Sequence, residues 1–231
     1  MRTSTASSPA SARQEEGGVV LPGVTGRAAT LPVSFFQRSA EVVARELLGT
    51  TVVSRVEGCR TAGRIVEAEA YLGHVDPASH GYRHRRHAQN EALYGPAGTW
   101  YVYLSYGMHW CANLVCGVPG EASAVLLRAL EPVEGLALMR RRRGGVVDRE
   151  LCSGPGKLCQ ALGITRDLDG SAMRGSRVIV RTRQADWTPS VLITPRIGIT
   201  KAADWPLRFL IDGSPWTSRK ADRQAGQVGA D

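Results

Sequence analysis

The sequence predicts an α+β fold, in which helices flank a curved, largely antiparallel β-sheet. Strand-like segments follow one another through short turns, as antiparallel strands do. Few of these segments are separated by helices long enough for repeated βαβ crossovers, which a parallel sheet requires. No repeat or linker interrupts residues 31–218, so we expect a single domain there. Residues 1–30 and 219–231 lack hydrophobic periodicity and are expected to be disordered tails.

A helix and two strands open the domain. Ser39 is suited to cap a helix, apolar residues recur after it and Gly49 ends the pattern, which predicts a helix over residues 39–49. Strands are predicted at residues 50–56 and 63–72, on either side of a glycine-containing turn.

The strand at residues 63–72 has two different faces. Its period of two places four apolar residues on one face, Val66, Ala68, Ala70 and Leu72, and three polar residues on the other, Glu67, Glu69 and Tyr71. We expect the apolar face in the core. Two carboxylates placed in this way usually lie on a solvated surface, but the ring beside them and the apolar strand favour a second interpretation. In it, one glutamate is a general base acting on water, and apolar surroundings raise its pKa.

The later elements are strands with two further helices. Strands are predicted at residues 99–106, 109–116, 124–130, 178–180, 190–193 and 207–211, and the first two meet at a hairpin tip, Tyr106-Gly107-Met108. Alternation groups Tyr101 with Tyr103, Cys111 with Asn113, and Leu126 with Arg128. Helices are predicted at residues 132–143 and 153–163, each opened by a proline, which suits the first helical position.

Composition limits the class of protein. No apolar run approaches the roughly 20 residues of a membrane span, and the first 14 residues lack the hydrophobic stretch of a secretory signal. The five cysteines are odd in number and have no CxxC spacing, as expected of reduced thiols and not of a zinc ribbon. We expect a soluble, cytoplasmic protein.

Residues with polar rings are concentrated in one segment. All six tyrosines and all five histidines lie between Tyr71 and His109, and flat rings with polar edges suit a binding site. The formal net charge is +8, and only three of the 29 basic residues are lysines. Arginine favours bidentate phosphate contacts, although a GC-rich genome explains the arginine content equally well. Stacking rings in a cationic protein are typical of nucleic-acid binding.

Four motifs leave alternatives or exclude a function. The tyrosines at residues 101–106 suit a packed sheet face as well as a pocket, and the arginines at residues 140–143 suit a solvated helix end as well as phosphate contacts. The histidines at residues 74–87 lie among arginines, which repel a cation, and lack the HExxH spacing, so we expect no metal and no cofactor. Residues 153–157, SGPGK, lack the spacing of GxxxxGK[ST], which excludes nucleotide hydrolysis.

Several blocks of the sequence resemble the alkyladenine/3-methyladenine DNA glycosylase family of the mammalian type. They are residues 64–73 (RIVEAEAYLG), 101–113 (YVYLSYGMHWCAN), 126–132 (LLRALEP), 150–162 (ELCSGPGKLCQAL) and 213–216 (GSPW). The resemblance covers residues 31–218. It implies an enzyme of base excision repair that flips alkylated or deaminated purines out of duplex DNA and excises them. The segment at residues 81–90, GYRHRRHAQN, departs from the family pattern.

The resemblance also implies roles for individual residues. Glu69 matches the general base, and Arg128 matches a residue that helps to hold the nucleophilic water. Tyr106 matches the ring that enters the minor groove and fills the gap left by the flipped nucleotide. The residues matched to the flipped base are Tyr71, His80, Tyr103, Asn113 and Leu126. Among them, Asn113 lies against the base edge, where the 2-amino group of normal guanine would clash.

Two functions of different classes fit these residues. The first is a monofunctional DNA glycosylase that uses water as its nucleophile, needs no cofactor and leaves an abasic site. The second is a non-catalytic nucleic-acid-binding module that keeps only the stacking rings. Glu69 and Arg128 favour the enzyme, because binding alone does not require them. We expect a monomer without a membrane partner that acts on double-stranded DNA containing damaged purines and associates with the nucleoid.

Overall fold

The structure is a computed structural model that describes residues 28–184 and 187–219. Within these residues, eight strands form one antiparallel sheet: β1 Thr51–Ser54, β2 Thr61–Leu72, β3 Trp100–Ser105, β4 His109–Cys116, β5 Ser123–Glu134, β6 Val178–Arg181, β7 Val191–Thr194 and β8 Arg208–Ile211. The described α-helices are α1 Val33–Phe36, α2 Ala40–Leu47, α3 Leu136–Arg142, α4 Asp148–Leu151 and α5 Pro155–Leu162. The predicted α+β class is confirmed. The tails predicted at residues 1–30 and 219–231 lie almost wholly outside the described residues.

Strand β2 is the centre of the sheet. The strand order is β3-β4-β5-β2-β1-β6, and β2 pairs with β5 along nearly its whole length. On its other side, residues 61–64 pair with β1, and residues 67–69 pair with β8, which in turn pairs with β7. The half of β2 that carries the polar side chains is therefore enclosed by strands on both edges.

Three register shifts interrupt the pairing of β2 with β5, and two of them lie on either side of Glu67. Val66 on β2 and Arg128 on β5 each lack a directly opposed partner, which is the pattern of a β-bulge on each strand. The predicted alternation was wrong for Val66, because Ile65 joins Ala68 in the main core cluster and Val66 is buried outside it. From Glu67 onwards the alternation holds.

The helix predictions are confirmed at two places and wrong at a third. The Ser39 hydroxyl caps α2 by accepting from the Val42 amide (3.5 Å), and α5 begins at Pro155. The helix predicted from Pro132 does not start there, since β5 continues through Glu134 and α3 begins at Leu136. Pro132 sits beside a register shift in β5, where a residue without an N–H is tolerated.

The arginine run of α3 is largely used within the protein. Arg140 makes two hydrogen bonds of 2.7 Å to Asp148, Arg142 donates to Glu57 and to the Ala161 carbonyl, and Arg143 contacts Gln160. These three side chains thus pair with neighbouring groups at a surface that stays partly exposed.

Two hydrophobic clusters pack on the sheet. The main cluster joins the sheet to α2, α3 and α5 and contains Trp100, whose indole N–H donates to the Val178 carbonyl (3.0 Å). The smaller one combines Tyr94, Tyr101 and apolar residues of β4 and β5, with Tyr103 packed against it. No helix in the described part of the chain is long and apolar enough to cross a membrane.

Candidate active site

A row of paired residues crosses the sheet at the polar half of β2. Tyr101 pairs with Asn113, Asn113 with Leu126, Leu126 with Glu69, and Glu69 with Arg208. Directly opposed residues on neighbouring strands lie on the same face of a sheet. Strand register therefore brings together side chains that are far apart in the sequence.

A cavity of about 510 Å³ opens beside this row. Seven of the predicted site residues line it: Tyr71, His80, Tyr103, Tyr106, Asn113, Leu126 and Arg128. Glu69 lies beneath the cavity, fully buried, in contact with Tyr71 and Arg128. Sequence reasoning did not assign Tyr101, Cys111 and Ile197, which also line the cavity. Tyr101 could have been found from its alternation with Tyr103, whereas nothing in the sequence pointed to Ile197.

Glu67 is the anchor of a buried cluster of charges. Its carboxylate accepts hydrogen bonds from Arg208 Nε (2.8 Å), Arg128 Nε (3.0 Å) and the backbone N–H of Ser218 (2.6 Å). Burial acts to raise the pKa of Glu67, but attraction by Arg208 and Arg128 outweighs burial and leaves the pKa below its ordinary value. Neither this glutamate nor Glu69 is exposed at all, so a solvated outer face is the wrong interpretation of the pair.

Glu69 has weaker compensation for its burial. Arg128 Nη1 (3.1 Å) and the Tyr71 hydroxyl (3.0 Å) donate to one carboxylate oxygen, and the Ile197 N–H donates to the other (2.8 Å). Burial raises the pKa of Glu69, and Arg128 offsets this only in part. Two adjacent carboxylates thus have pKa values shifted in opposite directions, which is how acid–base roles are divided within a site. Glu69 is therefore the better proton acceptor of the two carboxylates.

Aromatic rings form one wall of the cavity. The His80 ring packs edge-on against Tyr103, with ring centroids 4.5 Å apart, and its Nδ1 lies 2.7 Å from the Tyr101 hydroxyl. Burial, and then the nearby His87, lower the pKa of His80, so its ring is neutral near neutral pH. The Asn113 amide donates to the Tyr101 carbonyl (3.1 Å), which fixes its orientation beside the rings.

Tyr106 occupies the hairpin tip between β3 and β4, as predicted. This residue is 85% exposed, and its φ of +50° lies in the left-handed region. For a residue other than glycine this conformation costs about 1–2 kcal/mol, and such strain is concentrated at functional sites. With Gly107 at φ +68°, the turn holds an aromatic ring out into solvent at the mouth of the cavity.

The histidine segment is an ordered loop. The buried Asn90 amide donates to the carbonyls of His80 (3.1 Å) and Arg85 (2.9 Å), which ties the loop to the cavity wall. His74 and His84 stack with ring centroids 4.5 Å apart, whereas Asp76, which the sequence groups with them, is paired with Arg196 instead. In residues 28–184 and 187–219, no three histidine, cysteine or acidic side chains are arranged to hold a metal ion.

Comparison with known proteins identifies a family whose sequences match this chain. The family model described as methylpurine-DNA glycosylase (MPG) matches residues 34–215. A protein of Methanoculleus marisnigri named "Putative 3-methyladenine DNA glycosylase" is 51% identical over 194 residues, which cover 83% of this chain and 100% of the relative. Relatives with the same name from Rhodopseudomonas palustris (50% identical, 82% of this chain and 88% of the relative) and Nitrobacter winogradskyi (47%, 89% and 93%) are similar to it as well.

The charge cluster predicts unequal effects of neutralising the two glutamates. Glu67→Gln leaves two buried arginines with one carboxylate between them, and breaking a buried ion pair costs about 3–5 kcal/mol. Glu69→Gln should cost less, because burial already disfavours the ionised form of Glu69. Urea unfolding at pH 7 measures both free energies of unfolding, and equal losses, or a larger loss for Glu69→Gln, would contradict the assignment of Glu67 as the anchor.

Proposed function

The chain belongs to the methylpurine-DNA glycosylase family, and from this premise we propose that its cavity receives a damaged purine flipped out of duplex DNA and that Glu69 directs its hydrolytic excision. Membership makes the protein a DNA glycosylase of base excision repair with DNA as its substrate. The finer elements of the proposal are alkylated or deaminated purines as targets, a monomeric enzyme and a domain at residues 31–218.

The observation that carries the proposal is a buried carboxylate with a raised pKa beneath an aromatic cavity. A general base works best when its pKa lies near the working pH. Glu69 accepts a proton from a water molecule, the water oxygen bonds to the sugar C1′, and the bond from C1′ to the purine nitrogen breaks. The base leaves with the bonding electron pair, and the sugar keeps the new hydroxyl. Arg128, which donates to Glu69, also helps to hold this water.

The rings supply the recognition of the base. Tyr71, His80 and Tyr103 enclose it, Leu126 packs on it, and Asn113 lies at its edge, where the 2-amino group of guanine would clash. Aromatic faces attract positive charge, which favours N-alkylated, cationic purines. A neutral His80, whose pKa burial lowers, adds no charge that would repel them.

Tyr106 fills the gap that flipping creates. Its exposed ring stands on a hairpin at the cavity mouth, at the place where a base leaves the stack. Flipping costs a few kcal/mol of unstacking, and least at a damaged base, so the enzyme gains selectivity before any contact inside the cavity. The net charge of +8 provides sequence-independent attraction to phosphates.

The alternative of a non-catalytic binding module is not favoured by the family assignment. A binding module also does not explain why Glu69 is buried, since a buried carboxylate with a raised pKa destabilises the folded protein near neutral pH. We therefore retain the proposal that the protein is an enzyme.

Replacement of Glu69 by glutamine should abolish base release while lesion-duplex binding persists. The amide is nearly isosteric but cannot take a proton, and general-base catalysis is worth about 10²–10⁴-fold in rate. Single-turnover excision and equilibrium binding on the same duplex measure the two effects. The matched control is Glu131→Gln, which alters a partly exposed ion pair with Arg64. Retention of more than about a tenth of the wild-type rate would exclude Glu69 as the base.

The excision rate should rise with pH along an acidic limb centred above 4.5, the ordinary value for glutamate. The base acts only when ionised, and burial raises the pKa of Glu69, so a higher pH is needed to ionise it. Single-turnover rates on a hypoxanthine duplex between pH 4 and pH 8 test this. A limb centred below 4.5 would point to Glu67, whose pKa is lowered.

The product should be an intact strand with an abasic site. Strand cleavage by a glycosylase requires an amine that forms a Schiff base with the sugar. Of the three lysines, Lys157 lies 3.4 Å from the Ser153 hydroxyl, neither Lys157 nor Lys201 lines the cavity, and Lys220 is outside the described residues. Incubation with a lesion duplex and borohydride should trap no adduct. A covalent protein–DNA product would identify an amine as the nucleophile.

A further inference from the structure

Behind the wall of the cavity lies a second pair of buried charges. Arg196 Nη2 donates to Asp76 Oδ1 (2.9 Å), and Arg196 Nη1 donates to Asp76 Oδ2 (2.5 Å) and to the Ala70 carbonyl (3.1 Å). Neither side chain is exposed. Asp76 also accepts from the backbone N–H groups of Leu72 (3.2 Å) and Ala78 (3.0 Å), so the pair is held from both sides.

The guanidinium of Arg196 lies over the ring of Tyr71. Its Cζ is 4.6 Å from the ring centroid, well within the range of a cation–π contact. Tyr71 lines the cavity, whereas Arg196 and Asp76 do not. One face of the Tyr71 ring therefore carries a fixed cation that does not line the cavity.

A ring that already binds a cation on one face attracts a second cation less strongly. The attraction comes from the negative charge of the ring face, which the first cation draws toward itself, and two cations on opposite sides of one ring also repel each other. Asp76 reduces this repulsion, but the cation–π contact with the ring is made by the guanidinium that it binds. Stacking of an uncharged base on the ring is much less affected.

We propose that Arg196 is a specificity-determining residue: by occupying the rear of Tyr71, it lowers the preference of the cavity for cationic bases and so admits uncharged modified purines. The proposal rests on the function proposed above. It assigns the discrimination between charged and neutral lesions to Tyr71 and Arg196 together, and assigns to the other rings whatever preference for cations remains.

The test compares two isosteric lesions that differ in one ring atom and its charge, cationic 7-methyladenine and uncharged 7-methyl-7-deazaadenine, in otherwise identical duplexes. Both nucleotides carry a 2′-fluoro sugar, which slows cleavage of the base, so equilibrium affinities can be measured with the full chain. The variant is Asp76→Asn with Arg196→Gln, which keeps hydrogen-bonding groups at both positions without charge. The matched control is Arg38→Gln, which removes a guanidinium that lies 4.6 Å from the Phe35 ring, away from the cavity.

The neutral double variant should raise the affinity ratio of the cationic to the neutral lesion by about two- to five-fold, the factor that corresponds to the weaker cation–π energies. Arg196→Lys, which keeps the charge, and the Arg38 control should leave the ratio unchanged. A fall in affinity for both lesions by the same factor would show a merely structural role and would overturn the proposal.

If the Asp76/Arg196 double variant does not fold, a second measurement tests the proposal. Tyr71→Leu with Arg196 intact should weaken binding of the two lesions by similar factors, because the ring has little cation preference left to lose. A much larger loss for the cationic lesion would overturn the proposal. Failure of the proposed function has a different signature, in which the unaltered protein binds neither lesion more tightly than undamaged duplex and releases no base from ordinary lesion nucleotides.

Discussion

The site depends on the burial of two carboxylates on one face of β2. Charges can be buried in a protein only when they are paired and hydrogen-bonded. The surrounding chain must therefore provide cations and hydrogen-bond donors for both carboxylates. Arg128 comes from β5, Arg208 from β8 and a backbone N–H from Ser218. Arg128 bridges the two glutamates. The better-satisfied Glu67 holds the guanidinium in place, and Glu69 is left with an incompletely compensated charge. The difference between the two carboxylates is thus a property of the whole cluster.

Sheet geometry delivers these partners. The central position of β2 lets β5 and β8 approach the same three residues from opposite edges. The bulge at Arg128 releases that residue from direct pairing, and bulges redirect side chains beside active sites in many sheets. Because the rings of β3 and the amide of β4 lie in the same register, the residues that we propose to recognise the base and to activate water lie on one continuous surface.

Local signals were enough to predict most of the fold, whereas the residues that line the cavity were assigned mainly from the family resemblance. The Ser39 cap, the proline at the start of α5 and the alternation of β3 and β4 each depend on neighbouring residues, and each is found in the structure. The start of α3 was missed because Pro132 suits a helix as well as an irregular strand. Val66 was misplaced because a bulge is decided by the partner strand. The roles of Arg196, Ile197 and Ser218 could not be predicted, since their contacts span more than a hundred residues of chain.

The contact between Glu67 and Ser218 joins positions 151 residues apart in the sequence. During synthesis, β2 and β5 emerge from the ribosome long before residue 218 does, and domains generally fold as units. The nascent chain therefore contains Glu67 and Arg128 early, whereas Arg208 and the Ser218 amide are added only when almost all of the described domain has been made. Closure of the charge cluster is a late event in the biogenesis of the protein, and the carboxylate beneath the cavity acquires its final surroundings only when that event is complete.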